Sequence, residues 1–162
     1  MGRFEDWLTL AEHGDAEAQF ELGWVYAEGR EVDLNFTEAF YWWSQAANNG
    51  HTKSQHVLGR AYAQGIGVEK DLAEAVKWWT KGAENGHPDS QFHLGNAYFQ
   101  GEGVPKDPRR AVQLWHMSAE QGNARAMYAL GVAHSKGEGL PRDLEKAIEW
   151  FQKSAELGLE NK

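Results

Sequence analysis

A period of 36 residues runs through the chain. Leu22-Gly23, Leu58-Gly59, Leu94-Gly95 and Leu130-Gly131 stand 36 positions apart, and whole sets of residues move with them. Tyr26, Tyr62 and Tyr98 follow, with His134 in the fourth slot. Trp43, Trp79, Trp115 and Phe151 keep the same step, as do Ala47, Ala83, Ala119 and Ala155, then Gly50, Gly86, Gly122 and Gly158. A fixed period between about 20 and 50 residues marks an array of supersecondary units, each of which needs its neighbours to bury its apolar face. Function in such arrays is expected on a surface that several units build together.

Within one unit the pattern is helical. In residues 51–86, Val57, Leu58, Ala61 and Tyr62 form a stripe at helical spacing, helix A. Asp15, His51, His87 and Asn123 stand at its start as caps, with Pro88 at a first helical position. Gly29, Gly65, Gly101 and Gly137 stop it, where a left-handed backbone favours a residue without a side chain. A short loop follows, with a second glycine at Gly67, Gly103 and Gly139 but Glu31 in the first unit. Helix B then opens at Asn35, Asp71, Asp107 and Asp143, and carries Ala75, Val76, Trp79 and Ala83 on one side. Phe4 to Gly14 matches a helix B alone, so the chain is expected to begin with a half unit and to hold about nine helices.

The pattern A/S-x-x-x-L-G-x-x-Y, then G-x-G-V-x-x-D, then A-x-x-W-W-x-x-A-A-x-x-G, is similar to the Sel-one-like repeat, or SLR, a relative of the tetratricopeptide repeat. Ala18-x-x-x-Leu22-Gly23-x-x-Tyr26 and Gly65-x-Gly67-Val68-x-x-Asp71 carry the resemblance, which extends from Phe4 through Gly158. Departures are Arg30-Glu31, Leu114 in place of Trp, and His134 in place of Tyr. The resemblance implies an all-α solenoid, a right-handed superhelix of antiparallel helix pairs serving as adaptor or scaffold. The expected organisation is one repeat domain: a half repeat at 4–14, repeats at 15–50, 51–86, 87–122 and 123–158, and a tail at 159–162. The last repeat has no specially polar outer face, so end-to-end self-association through it is a further expectation.

Residues that define the repeat are occupied by packing, so a ligand is expected at positions that vary between units. Carried over from the tetratricopeptide relatives, the groove positions flank Leu-Gly and follow Tyr on helix A. They are Phe20, Trp24, Ala27 and Glu28; His56, Arg60, Ala63 and Gln64; Phe92, Asn96, Phe99 and Gln100; Tyr128, Val132, Ser135 and Lys136. The aromatics would supply apolar anchors for a protein or peptide partner, and Arg60, His56, Asn96 and Gln64 polar ones. Trp24, Phe99, Phe20 and Phe92 have a second reading as packing between A helices, and Arg60 as the ion-pair partner of a nearby Glu. Trp42, Trp43, Trp78, Trp79, Trp115 and Trp150 recur with the repeat and read as core.

Charge and motifs narrow the chemistry. A net charge of −8 repels a phosphate backbone, and Lys106, Arg109 and Arg110 are interrupted by Asp107, so no nucleic-acid partner is expected. No apolar run reaches the ~20 residues of a membrane helix, so no membrane insertion is expected. With no cysteine there is neither disulfide nor thiolate site. The start, Met1 to Trp7, lacks the apolar core of a signal peptide, which gives a cytoplasmic expectation, or a periplasmic or secreted one if a leader was trimmed. His-x-x-x-His, Ser-x-x-Lys and Gly-x-Ser-x-Gly are all missing, so no enzyme, metal or cofactor is expected. Cysteine-rich bacterial relatives linked to β-lactam binding or cleavage set the enzymatic alternative, and this chain lacks their cysteines.

Overall fold

The computed structural model describes residues 3–160, with side chains to Gly158. Met1, Gly2 and residues 161–162, with part of the expected tail, lie outside the described residues. The described chain holds nine helices and no strand: α1 (Arg3–Glu12), α2 (Ala16–Glu28), α3 (Phe36–Asn48), α4 (Thr52–Gln64), α5 (Leu72–Glu84), α6 (Pro88–Gln100), α7 (Pro108–Glu120), α8 (Ala124–Lys136) and α9 (Leu144–Glu160). They fall into two compact units, unit 1 over residues 1–85 and unit 2 over residues 86–162. In unit 1, α2 pairs with α3 and α4 with α5; in unit 2, α6 pairs with α7 and α8 with α9.

The ends of the helices follow their cap residues. Asp15 accepts from the Ala18 N–H at 2.8 Å and Asn35 from that of Glu38 at 3.1 Å. His51 and His87 cap through Nδ1, which accepts from the N–H of Ser54 and Ser90. With Nδ1 so engaged, the His51 proton sits on Nε2, where Glu17 accepts it at 2.7 Å. Gly29, Gly65, Gly101 and Gly137 take φ of 67, 72, 72 and 69°, and the N–H of each returns to the A helix it ends. Glu31 takes φ of 64° where other units have glycine, and its carboxylate accepts from the Phe4 N–H at 3.2 Å.

Inside each hairpin an indole lies across a glycine. A Cβ added at Gly23 or Gly59 would fall on the ring of Trp43 or Trp79, and one at Gly95 would meet that of Trp115. The Leu-Gly pair is thus one packing device: Leu22, Leu58, Leu94 and Leu130 are at most 2% exposed, and the adjacent glycine admits the partner helix. Trp42, Trp43, Trp79 and Trp115 are buried. Trp78 and Trp150 are half-buried, each with a lysine ammonium over its face, Lys81 at 4.5 Å and Lys153 at 4.9 Å.

An amide relay ties each unit together. Gln19 and Gln55 donate to the carbonyls of Ala11 and Ala47, near the ends of α1 and α3, and accept in turn from Asn49 and Asn85. In unit 2, Gln91 accepts from Gln121 at 2.8 Å. These buried glutamines fix how far one helix slides along the next, because any shift strands a polar group.

Candidate functional site

The predicted positions in unit 2 converge on one cavity. Phe92, Asn96, Phe99 and Gln100 from α6 and Tyr128 and Val132 from α8 line a trough of about 570 Å³, with Trp115 as floor and Ser154 and Gly158 of α9 at one end. Lys136 is exposed and not among the lining residues. The walls are aromatic. Phe99 lies 5.1 Å from the Trp115 ring, and Tyr128, 58% exposed, lies 5.2 Å from Phe151. The Trp115 indole N–H donates to the Phe92 carbonyl at 3.3 Å, so the floor is polar-satisfied and presents only its apolar face.

Polar groups are confined to the trough's edge. Arg125 is the one charged lining residue; its guanidinium stacks 4.7 Å over Phe92 and stands 3.6 Å from the Asp89 carboxylate. Asp89 is also fixed by the Asn123 amide at 3.1 Å. Ser154 donates its hydroxyl to the Ala124 carbonyl at 2.7 Å, which removes it as a free nucleophile. The lining brings no carboxylate or imidazole into the trough. Such a set can hold an apolar group and orient a polar one, and it offers no general base.

Unit 1 uses the same helix positions differently. Trp24 stands where unit 2 has Asn96, and its ring lies 5.1 Å from Trp43. Phe20 meets Trp24 edge-on at 6.4 Å and lies 4.9 Å from His51. What remains is a space of about 150 Å³ lined by Trp24, Ala27, Phe36, Trp43, Val57, Arg60, Ala61 and Ile66. Of the two readings left open for Trp24, packing against Trp43 describes what is seen. His56 is buried at 8% exposure, which corrects the expectation of an exposed groove position. Arg60 is exposed, and among the described residues it has no carboxylate within ion-pair distance, so the reading of it as an ion-pair partner is also corrected. Glu28 is paired with Arg30 at 2.7 Å, and Gln64 is exposed.

Arg125, Trp115, Ala124, Ala129, Ser154 and Gly158 belong to the cavity and were not among the expected groove positions. Arg125 sits three residues before Tyr128, on the same helical side, in a slot that reads Glu17, Lys53, Asp89 and Arg125 across the repeats. Variation at that slot was the available signal, one turn before the positions chosen.

The Sel1 repeat family model matches residues 16–51, 52–87, 88–123 and 124–159. The chain belongs to the Sel1 repeat family. Sel1 repeats are generally protein–protein interaction modules and generally non-enzymatic scaffolds. Among solved structures, the chain is similar to a protective antigen of uropathogenic Escherichia coli with an SLR fold: 39% identity, TM-score 0.94, covering 98% of this chain and 34% of that one. It is also similar to a Sel1 repeat protein from Oxalobacter formigenes, with 38% identity, TM-score 0.91 and coverage of 96% and 64%. The chain thus spans less than two thirds of the length of either. Cysteine-rich protein B of Helicobacter pylori shares the fold at 23% identity and TM-score 0.60, over 77% of this chain and 95% of its own. No curated protein matches the chain. Among the described residues no helix is long and apolar enough to cross a membrane.

Proposed function

We propose that this Sel1 repeat chain is an interaction module that seats an apolar side chain of a partner polypeptide in the trough of unit 2. The observation that carries the reading is the juxtaposition of an aromatic-walled space of about 570 Å³ with amide and guanidinium groups at its edge. Apolar walls supply affinity, and Asn96, Gln100 and Arg125 fix the orientation of a peptide backbone or carboxylate. A second open space, bounded by Lys106–Arg109 and Gly137–Pro141, has turn residues and charges for walls and lacks aromatic anchors. Glu28, His56 and Gln64 have no part in this reading.

The test transplants the unit 1 wall into unit 2. Asn96→Trp with Phe99→Ala reproduces the Trp24 and Ala27 pair, and closes the trough with residues the fold already accommodates. Partner capture from cell lysate, with folding checked by circular dichroism, should succeed with the native chain and fail with this double variant. A partner retained equally by both would place the site elsewhere.

A further inference from the structure

The B helices carry a second stripe, one turn apart, that faces the next A helix. On α1 it is Phe4, Leu8 and Ala11, covered by α2; on α3 it is Phe40, Ser44 and Ala47, covered by α4; on α7 it is Val112, His116 and Ala119, covered by α8. Every residue of these three stripes is buried or half-buried, with Ala11, Ala47 and Ala119 at 2, 2 and 4% exposure. The register of the cover is constant. Tyr26 meets Phe4 at 5.9 Å and Tyr62 meets Phe40 at 5.4 Å, while Gln19 and Gln55 reach the carbonyls of Ala11 and Ala47. The covering helix therefore runs antiparallel, its tyrosine at the start of the B helix and its small residue and glutamine at the end.

On α9 the same stripe is Ile148, Gln152 and Ala155, and all three are exposed, Ile148 at 55%. Ala147, one position before Ile148, faces α8 and stays buried at 2%, so the exposure is confined to one side of a packed helix. Beside the stripe run Glu145, Glu149 and Glu156, all exposed. The matching slots on the other B helices are Thr37, Tyr41 and Asn48; Ala73, Lys77 and Glu84; and Arg109, Gln113 and Glu120, so the all-acidic row belongs to α9 alone. α9 also continues through Gly158 to Glu160, where the other repeats turn at a glycine of φ 81–89°. A helix lying on this stripe need not be joined to it by that turn.

We infer that the outer side of α9 is a docking site for an amphipathic helix of a partner, of the A type and with a basic flank. Its apolar side presents a small residue against Ala155, a leucine at the centre and an aromatic ring against Ile148, in the antiparallel register of α2 on α1 and α4 on α3. Lysine or arginine on its flank meets Glu145, Glu149 and Glu156. A second copy of this chain is the poorer occupant, because α2, α4 and α8 already have this side buried on α1, α3 and α7.

The probe is a synthetic peptide of residues 123–137 with blocked ends, an A-type segment carrying Arg125 and Lys136 and no carboxylate. Titrated into the full ¹⁵N-labelled chain, it should produce saturable shifts at Ile148, Gln152 and Ala155. Ile148→Asp, a change at an exposed position, should weaken binding at least tenfold, and a scrambled peptide should leave the signals unmoved. Shifts confined to other helices, or undiminished by Ile148→Asp, would overturn the inference. So would a concentration-dependent dimer of the unliganded chain, seen by sedimentation and abolished by Ile148→Asp, which would assign the surface to a second copy.

Discussion

Unit 1 and unit 2 share one set of packing residues and differ in what they do with the positions between. In unit 1, Trp24 lies against Trp43, and the space beside them falls to about 150 Å³. In unit 2, Asn96 stands in the slot of Trp24, Phe99 covers Trp115, and about 570 Å³ stays open. The difference extends to hydrogen bonding. The Trp115 N–H has an acceptor in Phe92, whereas the buried Trp43 N–H has none among the described residues. A repeat array can therefore hold its fold constant and place a binding site by one or two substitutions at non-repeating positions.

The comparison can be broken most forcefully at the indoles. Trp43→Ala and Trp115→Ala should each cost about 3–5 kcal/mol of stability in denaturant titrations, as buried aromatic truncations do. Equal costs would be expected if the two hairpins differ only in their walls; a Trp115→Ala cost below ~1 kcal/mol would show that unit 2 is not packed as described. Trp24→Asn, which gives unit 1 the unit 2 residue, should lower stability by about 2–3 kcal/mol, because half-buried ring surface is lost. Asn96→Trp should not destabilise by a comparable amount, since its ring enters an open space. Replacing the indoles by phenylalanine sharpens the contrast. Trp115→Phe should cost about 1 kcal/mol more than Trp43→Phe, the net value of the hydrogen bond only Trp115 makes.

The smallest expected effect is a pH slope confined to unit 2. Burial, and after it the neighbouring His134, holds the His116 pKa below the ordinary histidine value, with Glu120 acting the other way. The folded state then favours the neutral ring, and the unfolded chain binds the proton more readily. Stability from this group is present above about pH 6.5 and is lost as pH falls from there through the lowered folded value. His116→Thr, which copies Thr80 of the second repeat, should flatten the decline in melting temperature over that window. An unchanged slope would assign the decline to other groups.

Most of the fold was legible in the sequence because its signals recur. Asn35 and Asp71 as caps, Gly65 as a left-handed stop and Trp43 against Gly23 each repeat in phase, so a single ambiguous residue is read four times over. The site was legible in part. Helix position placed Phe92, Asn96, Phe99 and Tyr128 on one side of their helices, but the burial of His56 depends on contacts that no single helix encodes. Trp24 shows the same limit, since its helical position is that of Asn96 while its size makes it a packing residue. Arg125 was missed because its role arises from stacking on Phe92, 33 residues earlier in the sequence and adjacent only after folding. The exposed stripe of α9 was partly visible as the lack of a polar outer face, and its acidic border only by comparison with the other B helices.

The central claim is that the open trough of unit 2, and not the filled one of unit 1, receives the partner. Peptides selected from a random display library on the native chain, then mapped by chemical-shift perturbation, test it directly. The account predicts shifts centred on Phe92, Asn96, Phe99 and Tyr128, and binding abolished by Asn96→Trp with Phe99→Ala. Selected peptides that perturb Trp24, Trp43 and Arg60 instead, and bind the double variant as well as the native chain, would contradict it.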